Sequence, residues 1–254
     1  MILTIDIGNT NITFGCYDKK LEFVSRLATD RTRTADQYAA EFRMILRIDG
    51  AKIDDISGAV ISSVVPELTK SICVAVEKIT GIVPLCLGPG IKNGLNIKID
   101  NPAQLGADMV ATAVGAMKSY KLPCLIADLG TATKISVLSK NGEFLGCSIA
   151  PGVGISLKAL TGGTSQLPAL GLDTPKNAIG TNTITSMQSG IVYGTADSLD
   201  GMFDRLENEL GEKIESIIAT GGYAKDIIRH CRHRIIYDEN LILDGLFAIY
   251  EKNQ

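Results

Sequence analysis

Apolar residues near the N-terminus alternate with polar ones and are broken by short turns, as in paired strands. The segments 2-ILTIDI-7 and 11-NITFGCYD-18 read as a hairpin, and 22-EFVSRLAT-29 as a third strand. The period then becomes helical over 36-DQYAAEFRMILRI-48, where Tyr38, Phe42, Ile45 and Leu46 share a face. A strand over 59-AVISSV-64 precedes a helix with Pro66 near its start and Gly81 at its end. The stretch 95-LNIKI-99 reads as a short strand. Asn101-Pro102 then opens a helix that runs to about Tyr120.

The same order recurs further on. The segments 124-CLIADL-129, 133-TKISVLS-139 and 143-EFLGCSIA-150 read as a second strand triplet. The turn 151-PGVG-154 leads into a helix, and a loop rich in Gly, Thr and Pro occupies 161–183. A long helix covers about 184–210, and the strand 216-SIIAT-220 ends at Gly221-Gly222. Helices follow, the last over 241-LILDGLFAIYEKN-253. Strand triplets followed by helices, given twice, predict a duplicated α/β architecture, divided here at 1–118 and 119–254.

Composition narrows the function classes. The chain has 254 residues, 45% hydrophobic and 21% charged, with a formal net charge of −3. That is a globular composition, and without a long basic run it points away from nucleic acid. No apolar run reaches the length of a membrane span, and the N-terminus opens on a strand pattern rather than a signal peptide. The expected address is the cytoplasm. None of the six cysteines has Cys-x-x-Cys spacing, so they read as small buried hydrophobes. His230 and His233 flank Cys231, a triplet that reads as a solvated basic helix end rather than a zinc site.

The candidate chemistry lies in a repeated turn. Both 3-LTIDIGNTNITFG-15 and 125-LIADLGTATKISVL-138 carry an aspartate at a strand end, then a glycine, then hydroxyl or amide residues, about half a chain apart. Backbone N–H groups in such a turn cradle anions, and Asn9, Thr10, Asn11, Thr131 and Thr133 add neutral donors. A strand-end aspartate suits a phosphate only with a cation between them, magnesium above all. One such turn alone is better explained by an aspartate capping its own hairpin; the repetition reverses this and favours two hairpins gripping a metal-bound polyphosphate. Gly221-Gly222 at a strand end offers a bare surface for adenine or ribose. In the helix after Pro102, Leu105, Met109, Val110, Ala113, Val114 and Met117 form an apolar face, and Gln104, Asp108, Thr112 and Gly115 another stripe. Asp108 there is either a proton acceptor for an attacking hydroxyl or a solvated charge.

Taken together, the segments 6-DIGNTN-11, 61-ISSVVP-66, 101-NPAQLGAD-108, 128-DLGTAT-133, 149-IAPG-152, 165-SQLP-168, 182-NTITSMQSGIVYG-194, 219-ATGGYA-224 and 245-GLFAIYEKN-253 resemble the type III pantothenate kinases. The resemblance implies a duplicated actin-like (ribonuclease H-like) α/β fold with an ATP cleft between two domains, and a homodimer. It implies ATP-dependent phosphorylation of pantothenate, the first step toward coenzyme A. By the same resemblance Asp6, Ile7, Gly8, Asn9, Thr10, Asn11, Ile12 and Thr13 match the first phosphate motif, with Asp6 near the divalent metal. Gly130, Thr131 and Thr133 fall on the ATP side, and Asp128 matches the ligand of a potassium or ammonium ion. Asp108 matches the catalytic base, and Gly106, Ala107, Met109, Thr183 and Ile99 the pantothenate side.

Four positions depart from the pattern that the resemblance implies. Met109 and Ile99 stand where an arginine and a tyrosine are expected, and Lys134 and Ser136 where a threonine and an aspartate are expected. Three readings stay open: pantothenate phosphorylation with compensation elsewhere, transfer to another small hydroxyl acceptor, or nucleotide binding without catalysis. Lys134 either points into solvent or supplies the charge that the monovalent cation supplies in relatives.

Overall fold

The computed structural model describes residues 1–163 and 171–254. They divide into two compact units. The first comprises Met1–Leu95, Asp100–Ser119 and Asn240–Gln254; the second comprises Asn96–Ile99 and Tyr120–Glu239.

The first unit opens with β1 (Ile2–Ile7), β2 (Asn11–Tyr17) and β3 (Leu21–Ala28), an antiparallel meander. Helix α1 (Ala35–Ile48) follows, started by a capping box in which Thr34 and Gln37 satisfy each other's backbone N–H. Strand β4 (Gly58–Ser63) pairs parallel with β1. Helix α2 (Pro66–Thr80) has Pro66 in its first turn and ends at Gly81, whose φ of 73° is the left-handed cap that glycine adopts without strain. Strand β5 (Leu85–Cys86) completes the sheet order β3-β2-β1-β4-β5. Ile5, Ile7, Phe14, Tyr38, Phe42, Leu46, Leu68 and Ile72 fill the core between this sheet and its helices.

Strand β6 (Asn96–Ile97) belongs to the second unit, where it pairs with a later strand. The chain then returns to the first unit for α3 (Ala107–Ser119). The helix starts later than the pattern from Asn101-Pro102 predicts. Asn101 caps a separate 3-10 turn over Pro102–Gln104, and Leu105 is extended, which breaks the helical run.

The second unit repeats the first. Strands β7 (Cys124–Leu129), β8 (Ala132–Leu138) and β9 (Glu143–Pro151) form an antiparallel meander. After α4 (Val153–Gly162) and α5 (Thr183–Leu210), strand β10 (Ser216–Thr220) pairs parallel with β7. Helix α6 (Ala224–Ile228) and β11 (Ile236–Tyr237) follow. The sheet order is β11-β10-β7-β8-β9-β6, the first sheet's order with β6 added at the β9 edge. The predicted duplication is thus present strand for strand.

Two features lie outside the sequence pattern. The strands β5 and β11 are two residues long, too short for alternation to register. The last helix, α7 (Leu241–Glu251), packs on α3 and β1 in the first unit, so a single cut at 118/119 does not separate the units. Side chains at Gly115 and Gly245 would run into the backbone of the facing helix, so the two glycines set how closely α3 and α7 approach. Thr112 and Gly115, on the same predicted stripe as Asp108, are buried. The cysteines also divide differently from the expectation. Cys16 and Cys124 are buried, Cys73 and Cys231 half-buried, and Cys86 and Cys147 exposed. No helix among the described residues is long and apolar enough to cross a membrane.

Candidate active site

The first turn is built at the C-terminal ends of two parallel strands. Asp6 on β1 stands opposite Ser62 on β4, and the Ser62 hydroxyl donates to Asp6 Oδ1 at 2.5 Å. Ser62 is fully buried and Asp6 half-exposed, so the hydroxyl fixes the carboxylate from below. The turn itself is held from several sides. Gly8 N–H donates to Asn11 O, Thr29 N–H to Thr10 O, and the Thr29 hydroxyl to Gly8 O at 2.6 Å. Arg31 donates to Asn9 Oδ1 and also meets Glu67. Asn9, Thr10 and Asn11 are exposed, whereas the Ile7 and Ile12 side chains are fully buried. The two isoleucines therefore offer a ligand only their main chain, while Thr13 lies opposite Asp6 in the β1–β2 register.

Asp108 lies in the first turn of α3, close to that same sheet end. A side chain on Gly106 would come within 2.5 Å of Asp108 Oδ1 and 3.9 Å of Val64, just past β4. The room at Gly106 is thus taken by the Asp108 carboxylate. Asp108 Oδ1 accepts the Met109 N–H at 2.8 Å, at the helix end whose dipole favours negative charge. Ala107 is half-buried, and Met109 is buried, with 7% of its surface exposed. Met109 therefore presents no polar group.

The second turn sits on the equivalent strand ends of its own unit. Asp128 on β7 stands opposite Thr220 on β10 and opposite Lys134 on β8. Lys134 Nζ lies 2.8 Å from Asp128 Oδ2, with the two side chains 17% and 24% exposed. The solvent-directed reading of Lys134 does not hold. Three glycines converge here. A Cβ on Gly221 would lie 2.6 Å from the Leu129 carbonyl carbon and 2.8 Å from Asp128 Oδ1, and its φ is 95°. A Cβ on Gly152 would lie 2.5 Å from Gly130 O. Thr133 Oγ1 is buried without a hydrogen-bond partner among the described residues. Such a group costs about 1–3 kcal/mol until something bonds to it.

The remaining sequence-predicted residues are more scattered. Ile99 is half-buried beyond β6, and Thr183 is the exposed first residue of α5, whose capping box is made by Asn182 and Thr185. Gly222 follows Gly221 with open space where a side chain would be. Ser136 is buried on β8. The segment 165-SQLP-168 lies outside the described residues. Sequence reasoning did not single out Ser62 or Gly152, although both lie in quoted segments.

The His230–His233 region is not a solvated helix end. His233 bridges Asp200 (2.6 Å) and Asp204 (3.1 Å), and the fully buried Asp200 also accepts the backbone N–H groups of Arg232 and His233. Among the described residues no group of three or more His, Cys, Asp and Glu side chains gathers as a metal site. Magnesium suits the first turn nonetheless, because it takes one or two carboxylates and completes its shell with phosphate oxygens and water. A monovalent cation does not suit Asp128, whose Oδ2 already meets an ammonium group.

A family model described as type III pantothenate kinase matches residues 2–205. The type III pantothenate kinase of Halalkalibacterium halodurans is 44% identical over 254 residues, all of both chains. Among solved structures, a protein from Campylobacter jejuni described as a Baf family transcriptional activator superposes with a TM-score of 0.61 at 20% identity, covering 99% of this chain and 98% of its own. Component A of the (R)-2-hydroxyglutaryl-CoA dehydratase of Acidaminococcus fermentans gives 0.58 at 15% identity, covering 98% and 96%. At such identities these structures speak to the fold alone, and that fold is the duplicated actin-like one.

Proposed function

Because the chain belongs to the type III pantothenate kinase family and phosphorylates pantothenate with ATP, the first step of coenzyme A biosynthesis, we propose a role for each residue of its two turns. Asp6, oriented by Ser62, holds the divalent cation on the phosphates. The main chain of Ile7, Gly8, Ile12 and Gly130, with Asn9, Thr10, Asn11, Thr13, Thr131 and Thr133, donates to phosphate oxygens. Gly221 and Gly222 receive the adenosine. When bound, magnesium neutralises charge on the β- and γ-phosphates.

Asp108 is the base in this reading. It takes the proton of the pantothenate hydroxyl as that oxygen bonds to the γ-phosphorus and the bond from phosphorus to the β-phosphate oxygen breaks. The protein's contribution is positioning and charge placement rather than covalent chemistry. Gly106, Ala107, Ile99 and Thr183 line the acceptor side, and Met109 contributes apolar contact only. Lys134 stands in for the monovalent cation by neutralising Asp128. The assembly in this reading is a homodimer, as the family resemblance implies. The cytoplasm is the proposed compartment.

The observation that carries this reading is the gathering of Asp6, Ser62 and Asp108 at one end of the first sheet. A coupled assay of ADP release over small hydroxy acids tests it, with pantothenate as the expected best acceptor. Turnover with another hydroxy acid and none with pantothenate would overturn it.

A further inference from the structure

Cys73 and Cys86 lie thirteen residues apart in sequence, and their sulfurs are 3.0 Å apart. Cys73 is on α2 and Cys86 on β5, the edge strand beside β4, against which α2 packs. A disulfide bond is about 2.0 Å long, so about 1 Å of approach separates this contact from a covalent bond. Cys86 is exposed and Cys73 half-buried, so a small oxidant reaches the first and the second waits behind it. The other described cysteines have no such partner: Cys16 meets a methionine sulfur, and Cys231 meets backbone carbonyls.

We propose that Cys73 and Cys86 form a reversible dithiol–disulfide site whose oxidant is a low-molecular-weight disulfide. The Cys86 thiolate attacks one sulfur of the small disulfide, forming a mixed disulfide and releasing one small thiolate. Cys73 then gives up its proton and attacks the Cys86 sulfur, releasing the second small thiol. Two protein thiols are oxidised to one disulfide, and one small disulfide is reduced to two thiols. The roles follow from exposure, and the acidities agree. The hydrogen bond from Cys73 pulls the Cys86 thiol down to about 7 against the effect of burial. The same contact, with burial, pushes Cys73 up. An attacking thiol with a pKa near the ambient pH reacts fastest. The product ties α2 to the edge of the first sheet, where Cys86 is in register with Ile61, next to Ser62. The site stands on the first unit alone and is independent of the acceptor.

Oxidised glutathione is the probe. The reduced, folded protein is exposed to it, the remaining thiols are alkylated, and the peptides are weighed. The expected product is a Cys73–Cys86 cross-link two hydrogens lighter than the reduced pair and reversed by dithiothreitol. Cys73→Ser should instead accumulate glutathione on Cys86, and Cys86→Ser should leave Cys73 unmodified. The rate should rise as pH increases through about 7. A lasting glutathione adduct on wild-type Cys86, a cross-link between two chains, or no reaction at either cysteine would overturn the proposal.

Discussion

Lys134 and Asp128 face each other across the β7–β8 hairpin, ammonium 2.8 Å from carboxylate and both mostly withdrawn from solvent. The pair places a fixed positive charge at the second turn, on the carboxylate that relatives are expected to share with a diffusible cation. A tethered charge does not leave when the salt changes. Turnover is therefore expected to be the same in sodium and potassium buffers. Lys134→Thr should lose about tenfold or more in kcat, roughly 1.4 kcal/mol of barrier, and regain part of it in potassium. Strict potassium dependence of the wild-type protein would sink the assignment.

Asp108→Asn keeps the shape of the side chain and its bond from Met109 N–H but removes the proposed proton acceptor. A fall in kcat of about 10²–10⁴ is expected, with ATP affinity unchanged. Titration calorimetry with a non-hydrolysable ATP analogue separates the two effects. Near-normal turnover would remove Asp108 from the chemistry.

Gly221→Ala places a methyl group 2.6 Å from the Leu129 main chain at a φ of 95°, where neither the neighbour nor the backbone yields easily. A loss of about 1–3 kcal/mol of stability is expected, together with weaker nucleotide binding. Thermal denaturation with and without ATP is the measurement. A full nucleotide-induced shift in the variant would show that this contact does not shape the site.

Asp200 sets an acid limit on stability. Burial opposes its ionisation, but the Arg232 N–H, the His233 ring and the His233 N–H outweigh burial and hold its carboxyl below the ordinary range. A lowered folded-state pKa stabilises above the unfolded value of about 3.9, and the benefit is lost as pH falls through the folded value. Asp200→Asn should therefore lower stability at neutral pH, and the difference from wild type should shrink as pH falls through the folded-state value. Urea midpoints across that range provide the check. A constant difference would assign the effect to packing.

Local chemistry was legible from the chain alone. Alternation and helical spacing located both strand triplets, Pro66 and Gly81 bounded α2, and the repeated Asp-x-Gly marked the two turns. Such signals depend only on neighbours within a turn or a strand, so they survive without tertiary context. Helical spacing offered Asp108 as a proton acceptor or a solvated charge and the family pattern favoured the first, but its place near the first turn no periodicity could supply.

Register and long-range return belonged to the folded chain. Alternation says which residues share a face, but a one-residue slip of the β7–β8 hairpin would set Thr133, not Lys134, opposite Asp128. The length of the turn decides that. The docking of α7 on α3, the Ser62–Asp6 bond, the Asp200–His233 contact and the Cys73–Cys86 pair each join segments that no local period connects. They form because burying the faces of two sheets leaves few ways for the chain to return, and only the packed core selects among them.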